Sequence, residues 1–393
     1  MSLDLEEMSD PSTSTPTARR AVKVCHFTTS HLALDNRLFD KEARSLARAG
    51  YEVTIVGPHE REECREGIRL VPIPRPAGRL GRLRMATWRI LRLALNENAD
   101  VYHFHDPELI PAALFLKLRG KRVIYDVHED YEQTALGAAW IPRGLRRIVS
   151  LAWGALERTA GRLFDYVVVV DSHIRRKFPP HKTELITNVP PLSFARSQPK
   201  PARSGPLRIV YTGGVAERRG VFRVVEALGH LRSPDVELHL IGQIDEPEHR
   251  KTLQSHPQII CHGRLPWRQM RDALEAADVG LMLFQPTPEH MVFTGEGNTK
   301  LFEFMGLGIP VLYADLPNLR KFMETTGGGI PVDPTCPKKI AEAIDLLHDD
   351  PALCRTLGEN GRKAVRERYH WEKEERKLLD VYERVAPRGA ARI

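Results

Sequence analysis

Residues 207–241 read LRIVYTGGVAERRGVFRVVEALGHLRSPDVELHLI, and this stretch decides the class of fold. Leu207 to Thr212 is a short β-type run that stops at Gly213 and Gly214. Val221 to Leu231 carries apolar residues at helical spacing, and Val236 to Ile241 alternates as a strand does. Strand, glycine turn, helix and strand form a crossover unit, whose strands lie parallel in a sheet covered on both faces.

The same alternation runs outward in both directions. Downstream, strands are expected near Ile259, at Val279 to Leu283 and at Pro310 to Tyr313, with helices at 266–276, 299–306 and 337–348 and a last helix from Trp371 to Val385. Upstream, strands are expected at Val22 to Thr28, Tyr51 to Val56, Val101 to His105, Arg122 to Asp126 and Tyr166 to Asp171. A helix from Leu38 to Ala49 ends at Gly50, and others fall near 85–97, 108–119 and 143–164. Between the halves, residues 189–206 are rich in proline and small polar residues and read as a linker. The expected fold is therefore α/β, with two Rossmann-like doubly wound parallel-sheet domains facing across a cleft. The expected division is a disordered tail at 1–20, a first domain at 21–188, a second domain at 207–370, and a C-terminal helix at 371–393 packing back on the first domain.

Composition agrees with that reading. A chain of 393 residues favours two domains over one, and 42% hydrophobic residues exclude wholesale disorder. No apolar run approaches the roughly 20 residues needed to cross a bilayer. The N-terminal segment is acidic and then polar, without an apolar core, so it does not read as a signal peptide and a cytoplasmic location is expected. The cysteines (Cys25, Cys64, Cys261, Cys336 and Cys354) are scattered and never in a CxxC pair, which argues against a disulfide framework or a structural zinc site. A net charge of +7 fits an anionic substrate, an anionic membrane surface or nucleic acid, and does not choose among them.

Ligands of open parallel sheets bind beyond the carboxyl ends of strands, so the residues there carry the chemistry. At Gly213-Gly214 the backbone can approach a ligand closely, the following helix start favours an anion, and Arg218 and Arg219 add fixed cations at the same mouth. A tight turn with solvated arginines is the bland alternative. The second constellation is GEGNTKLFEFMGLGIPVL, Gly295 to Leu312. Asn298 is a candidate N-cap, and Lys300 in the first turn opposes the helix dipole unless an anion neutralises it. Glu303, three residues on, shares its side of the helix. A cation for phosphate beside a carboxylate for vicinal hydroxyls suits a nucleoside diphosphate, whereas on an isolated helix the pair is an ordinary surface contact. His103 and His105 of VYHFHD are read as pointing to opposite sides of their strand, with His103 in packing.

The order of these two constellations, together with LDNRLFDKEARSLARAGYEVTIV, VYHFHDPELIPA, RVIYDVHED and a late YHWEKEERKLLDVYERV helix, resembles the GT-B nucleotide-sugar glycosyltransferases, and the retaining family 4 in particular. The resemblance covers roughly Ala21 to Val385. It implies that Glu303 binds ribose hydroxyls, that Arg219 and Lys300 hold the diphosphate, that Gly263 and Arg264 hold the nucleobase, and that His128 lies beside the reacting sugar. It also implies that the first domain is the acceptor side, with Asn36 and Arg37 facing the acceptor, and that the second binds the nucleotide sugar. The family's first glutamate falls at Gly295 here, leaving Glu296 one place off; amides of Gly295, Glu296 and Gly297 are the substitute for sugar hydroxyls. Gly214 stands where many members carry an arginine, and Arg218 is the candidate replacement.

The resemblance implies transfer with retention from a UDP- or GDP-linked sugar to a hydroxyl acceptor. No cofactor and no metal are expected, since no Asp-x-Asp motif has a convincing context. Two basic stretches carry arginines interleaved with tryptophan: Arg75, Arg79, Arg82, Arg84, Arg89 and Arg92, then Arg143, Arg146, Arg147, Arg158 and Arg162 with Trp140 and Trp153. They read either as peripheral contact with the inner membrane face, serving a lipid-linked acceptor, or as two solvated faces. The rival enzyme readings are a sugar-nucleotide epimerase and a phosphorylase of the same architecture. The non-enzyme rival is a nucleic-acid-binding protein, which lacks support in any helix-turn-helix, zinc knuckle or RNP-like segment.

Overall fold

The computed structural model describes residues 20–387 apart from 76, 77, 79, 80, 82–85, 139, 202 and 266. Residues 1–19 of the expected 1–20 tail, and Arg79, Arg82 and Arg84 of the first basic stretch, therefore lie outside the described residues, while Arg20 is placed and pairs with Asp100 at 2.7 Å. Two sheets organise the rest. The first contains β1 (Lys23–Phe27), β2 (Glu52–Pro58), β3 (Glu63–Arg65), β4 (Ile68–Ile73), β5 (Val101–Phe104), β6 (Arg122–Val127), β7 (Tyr166–Val169) and β8 (Thr183–Leu185), in the order β3-β4-β2-β1-β5-β6-β7-β8. All neighbours are parallel except β3 with β4. The second contains β9 (Leu207–Thr212), β10 (Val236–Ile241), β11 (Ile259–Gly263), β12 (Val279–Met282), β13 (Val311–Ala314) and β14 (Gly329–Val332), all parallel in the order β11-β10-β9-β12-β13-β14. This is the GT-B arrangement of two parallel-sheet α/β domains.

The strand order reverses between β1 and β5 in the first domain and between β9 and β12 in the second. Chains leaving neighbouring strands in opposite directions open a crevice at such switch points. Strands β1, β5, β6 and β7 are buried almost throughout, as expected where helices cover both faces.

Six helices position the site: α1 (Asn36–Ala43), α2 (Arg146–Leu163), α3 (Val221–Leu228), α4 (Thr299–Gly306), α5 (Pro351–Glu367) and α6 (Trp371–Val385). Asp35 caps α1 by accepting from the amides of Arg37 and Leu38. Helix α4 is buried from Leu301 to Gly306, with α5 packed so tightly that a Cβ on Gly361 would lie 3.0 Å from the Met305 side chain. The segment between the sheets is itself packed, Val189 and Phe194 joining the second core.

Helix α6 follows the second sheet in sequence but packs on the first. Trp371, Leu378, Val381 and Tyr382 share a core with Val24, Phe39, Leu46 and Ile55. The Trp371 indole donates to Ser45 Oγ at 3.0 Å, and Arg48 pairs with Glu375 at 2.7 Å. A buried aromatic or leucine side chain contributes about 1.5–3 kcal/mol of transfer free energy, so this strap ties the chain's end to its beginning.

Candidate active site

The ends of β9 and its neighbours form a row of close backbone turns. The Gly213 amide donates to the Ile241 carbonyl at 2.8 Å, and the Gly242 amide donates to the Gly263 carbonyl at 2.8 Å. A Cβ on Gly242 would sit 1.9 Å from the Gly213 carbonyl oxygen, so a side chain is excluded there. Gly220, at φ +78°, ends the short Glu217–Arg219 turn and begins α3 against the Leu283 carbonyl. The result holds Arg218 and Arg219 at the mouth of the crevice.

Lys300 enters the same mouth from α4. Its ammonium donates to the Thr212 carbonyl at 2.7 Å and lies 4.6 Å from the Tyr211 ring centroid and 5.6 Å from that of Phe284. Arg219 sits over the same Phe284 ring, 5.1 Å from its centroid. Neither cation has a salt-bridge partner among the described residues, although Arg218 pairs with Glu289 at 3.6 Å. Burial, and next the charge of Arg219, pushes the Lys300 ammonium down to about 7, while Glu303 opposes the shift. Two cations held this close without a carboxylate between them are a receptor for an anion.

Glu303 is buried, and burial raises its carboxyl against the pull of Lys41 and Lys300. Lys41 belongs to α1 of the first domain and donates to Asn188 Oδ1 at 2.6 Å. In the sequence Lys41 sits inside an ordinary amphipathic helix, which gives no sign of a partner in the other domain.

Across the crevice, the first domain contributes His128 just beyond β6. Its Nε2 lies 3.2 Å from Asp126 Oδ2 and 3.1 Å from His105 Nδ1. Asp126 is fully buried and also receives Nε and Nη2 of Arg37 at 3.1 and 3.2 Å. Burial would raise this carboxyl, but Arg37 and then His128 hold it well below the usual carboxylate range. The imidazole is thereby fixed by one nitrogen, leaving Nδ1 for a ligand. Asp106, after β5, gathers the Thr28, Thr29 and Ser30 loop after β1: its Oδ2 accepts from the Thr28 hydroxyl at 2.6 Å and the Thr29 amide at 2.7 Å. These contacts and His31 outweigh burial and bring its carboxyl down to about 2.

A cavity of about 710 Å³ joins the two halves, lined by His128, Glu129 and Asp171 on one side and Arg219, Phe284, Gly297 and Asn298 on the other. A second, of about 1440 Å³, lies in the first domain; His31, Asp106 and His128 are at one end, and Tyr131, Trp140 and Trp153 line the rest.

Not every expected site residue reaches this crevice. Arg37 is 2% exposed, bound to Asp126 and to the Ile186 carbonyl, and cannot touch an acceptor where it stands. The resemblance implies a loop position facing the acceptor for Arg37, but the helix already starts at Asn36 and the guanidinium turns inward to Asp126 of β6. Asn36, beside it, is partly exposed as the first residue of α1. Gly263 and Arg264 cap the edge strand β11 and line neither cavity. Glu296 turns to the first domain, accepting from the Ser172 amide at 2.9 Å. Gly295, at φ +95°, forms the turn against Leu319, and Gly214 faces open space. His103 and His105 share one side of their strand, ring centroids 4.9 Å apart, because residues two apart point the same way.

Comparison with known proteins meets this geometry. Residues 37–189 match the family model described as a glycosyl transferase 4-like domain, and residues 194–364 match the one described as glycosyl transferases group 1. The chain is 25% identical over 373 residues to the phosphatidyl-myo-inositol mannosyltransferase of Mycolicibacterium smegmatis, covering 88% of this chain and 89% of that protein. It is 25% identical over 265 residues to the alpha-maltose-1-phosphate synthase of the same organism, covering 59% of this chain and only 66% of the relative's length. In three dimensions it is similar to HepE of Anabaena solved with UDP and glucose, with a TM-score of 0.69 at 14% identity over 92% of this chain and 99% of that one.

Proposed function

Because the chain belongs to the 4-like, group 1 glycosyltransferases of GT-B fold, we propose that it transfers a sugar from a UDP- or GDP-linked donor to a hydroxyl acceptor, with retention and without a metal. One observation carries the reading: Lys300, bound to the Thr212 carbonyl, and Arg219 both lie against Phe284 without a salt-bridge partner among the described residues. A departing diphosphate supplies the missing negative charge, and preorganised cations stabilise it most as the bond to the sugar breaks. HepE of Anabaena, solved with UDP and glucose, shares the fold and so supports a nucleotide-sugar donor.

Glu303 accepts the ribose hydroxyls, and the amides of Gly295, Glu296 and Gly297 serve the sugar. His128, anchored through Nε2, donates or accepts through Nδ1 at the reacting sugar and positions it. The acceptor hydroxyl attacks the anomeric carbon from the face the diphosphate leaves. Its oxygen forms the new bond, the carbon–phosphate-oxygen bond breaks, and the proton passes to the departing phosphate oxygen.

The acceptor occupies the larger cavity, whose Tyr131, Trp140 and Trp153 walls suit an apolar or amphiphilic group. Leu145, Ile148 and Leu151 are half or more exposed around the start of α2, among Arg143, Arg146 and Arg147. That combination supports peripheral contact with anionic lipid; no helix among the described residues is long and apolar enough to cross a membrane. Incubation with a panel of nucleotide sugars tests the donor, and UDP or GDP should raise the thermal midpoint whereas DNA should not. Absence of stabilisation by any nucleoside diphosphate would refute the proposal. Co-sedimentation with phosphatidylglycerol vesicles at low and high salt tests the membrane contact.

A further inference from the structure

Behind the crevice the first domain buries a cluster in which only His105, through its contact with His128, meets the groups assigned to transfer. His26 on β1 and His103 on β5 are register partners on adjacent strands, His105 lies just past β5, and Glu42 comes down from α1. All four are at most 1% exposed. One nitrogen from each ring and one Glu42 oxygen lie within 4.8 Å of one another. His26 Nδ1 and His105 Nε2 are 3.1 Å apart, and His26 Nδ1 is 4.0 Å from Glu42 Oε2. Both Glu42 oxygens and His103 Nε2 lack any hydrogen-bond partner. Arg37 Nε approaches Glu42 at 2.9 Å, but not in hydrogen-bonding geometry. Buried polar atoms are seldom left in this way without a reason.

The outward nitrogens, by contrast, are held. Tyr382 of α6 places its phenol oxygen 2.8 Å from His103 Nδ1 and 3.2 Å from His26 Nε2, and Asp126 lies 3.3 Å from His105 Nδ1. A phenol oxygen has two lone pairs and can accept from both rings, and Asp126 accepts from the third. With the outer nitrogens so held, an ion can take the lone pairs of His26 Nδ1 and His105 Nε2 in place of the hydrogen bond that joins them, together with the unpartnered His103 Nε2 and a Glu42 oxygen. Metal-bound histidines are oriented by such outer partners.

We propose that His26, His103, His105 and Glu42 form a buried binding site for one zinc-type divalent cation that fastens α1 to the first sheet. A tetrahedral zinc with bonds of about 2.0–2.1 Å places its ligands roughly 3.3 Å apart, close to the His26–His105 separation and within a short inward movement of Glu42. Imidazole-rich sets with one carboxylate favour zinc over magnesium or calcium. The charges agree: ionised Glu42 and Asp126 outnumber the guanidinium of Arg37 by one. The cation would not touch the donor, so the site stands or falls apart from the proposed transfer.

The test uses the full chain produced in medium supplemented with Zn²⁺, and separately with Co²⁺, then desalted. Elemental analysis should find close to one ion per chain, and the Co²⁺ form should show the intense visible bands of a tetrahedral site. Glu42→Gln and His103→Gln should each lower the metal content by about tenfold or more, with folding checked by circular dichroism. X-ray absorption on the unaltered zinc form should count three imidazoles, a readout that survives if the variants fail to fold. A metal-free chain from zinc-rich medium, an octahedral cobalt spectrum, or loss of metal in His128→Ala but not in Glu42→Gln would each overturn the proposal.

Discussion

Lys300 is a cation lodged where water is scarce, and its depressed ammonium makes nucleotide binding depend on pH. In the free protein it is protonated below about 7 and increasingly neutral above. A bound diphosphate favours the protonated form, so binding takes up a proton above that point. Affinity for UDP should hold below pH 7 and weaken as pH rises, by up to about tenfold per unit. Calorimetry from pH 6 to 9 in buffers of different ionisation enthalpy reads both the affinity and the proton; a flat profile would remove Lys300 from the phosphate. Arg219→Ala should lower turnover by about 10²–10³ while leaving the thermal midpoint near that of the parent. Asp126→Asn differs in kind: it frees His128 and also takes from Arg37 the carboxylate to which it is hydrogen-bonded. Removing one partner of a buried pair costs about 3–5 kcal/mol, so denaturant melts should show a large loss of stability that His128→Ala does not.

At the scale of elements, the strand–turn–helix unit at 207–228 has one glycine that is obligatory and one that is not. Gly220 combines φ +78° with the Leu283 carbonyl, which a Cβ would meet at 1.9 Å, whereas nothing lies within 4 Å of a Cβ on Gly214. Gly220→Ala should cost several kcal/mol, about 1–3 for overpacking alone, and disorder the arginine turn. Gly214→Ala should melt like the parent, and any loss should appear only in nucleotide affinity. Thermal melts with and without UDP separate the two. This unit was legible because its signals are local: a β run, two glycines and a 3.6-residue repeat. Helices α4 and α6 were bounded in the same way. The antiparallel β3 and the parallel β8 and β14 escaped because they have three or four residues each, too few to show a period, and β14 carries a proline; β4 has six, but its IRLVPI run is broken by Pro72. The Asp126–Arg37 pair and the histidine cluster escaped for another reason. Their partners come from strands 79 to 149 residues apart in sequence, or from α6, and only the closed sheet brings them together.

For the whole molecule, the question is what holds the two domains at the crevice. Asp171, after β7, accepts from the Thr294 hydroxyl at 2.6 Å, and Glu296 answers with the Ser172 amide at 2.9 Å. These reciprocal contacts cross the crevice beside the donor cavity, and Lys41 faces Glu303 over the same gap. Glu296 thus has a task that a sugar contact would compete with: it latches the closed arrangement. The two roles make opposite demands on ligands that differ only in the sugar. Loss of a latch lowers the population of closed protein and weakens every ligand that needs closure by one common factor. Loss of a sugar contact weakens only the ligand that carries the sugar. Glu296→Ala deletes one charge-assisted hydrogen bond, about 1.5–3 kcal/mol, and should weaken UDP and UDP-glucose alike by tenfold or more. X-ray scattering of the unliganded variant should show a larger radius of gyration that returns toward the parent value with UDP. Unchanged UDP binding beside weakened UDP-glucose binding would return Glu296 to the donor sugar, and closure would then rest on Asp171 and Thr294.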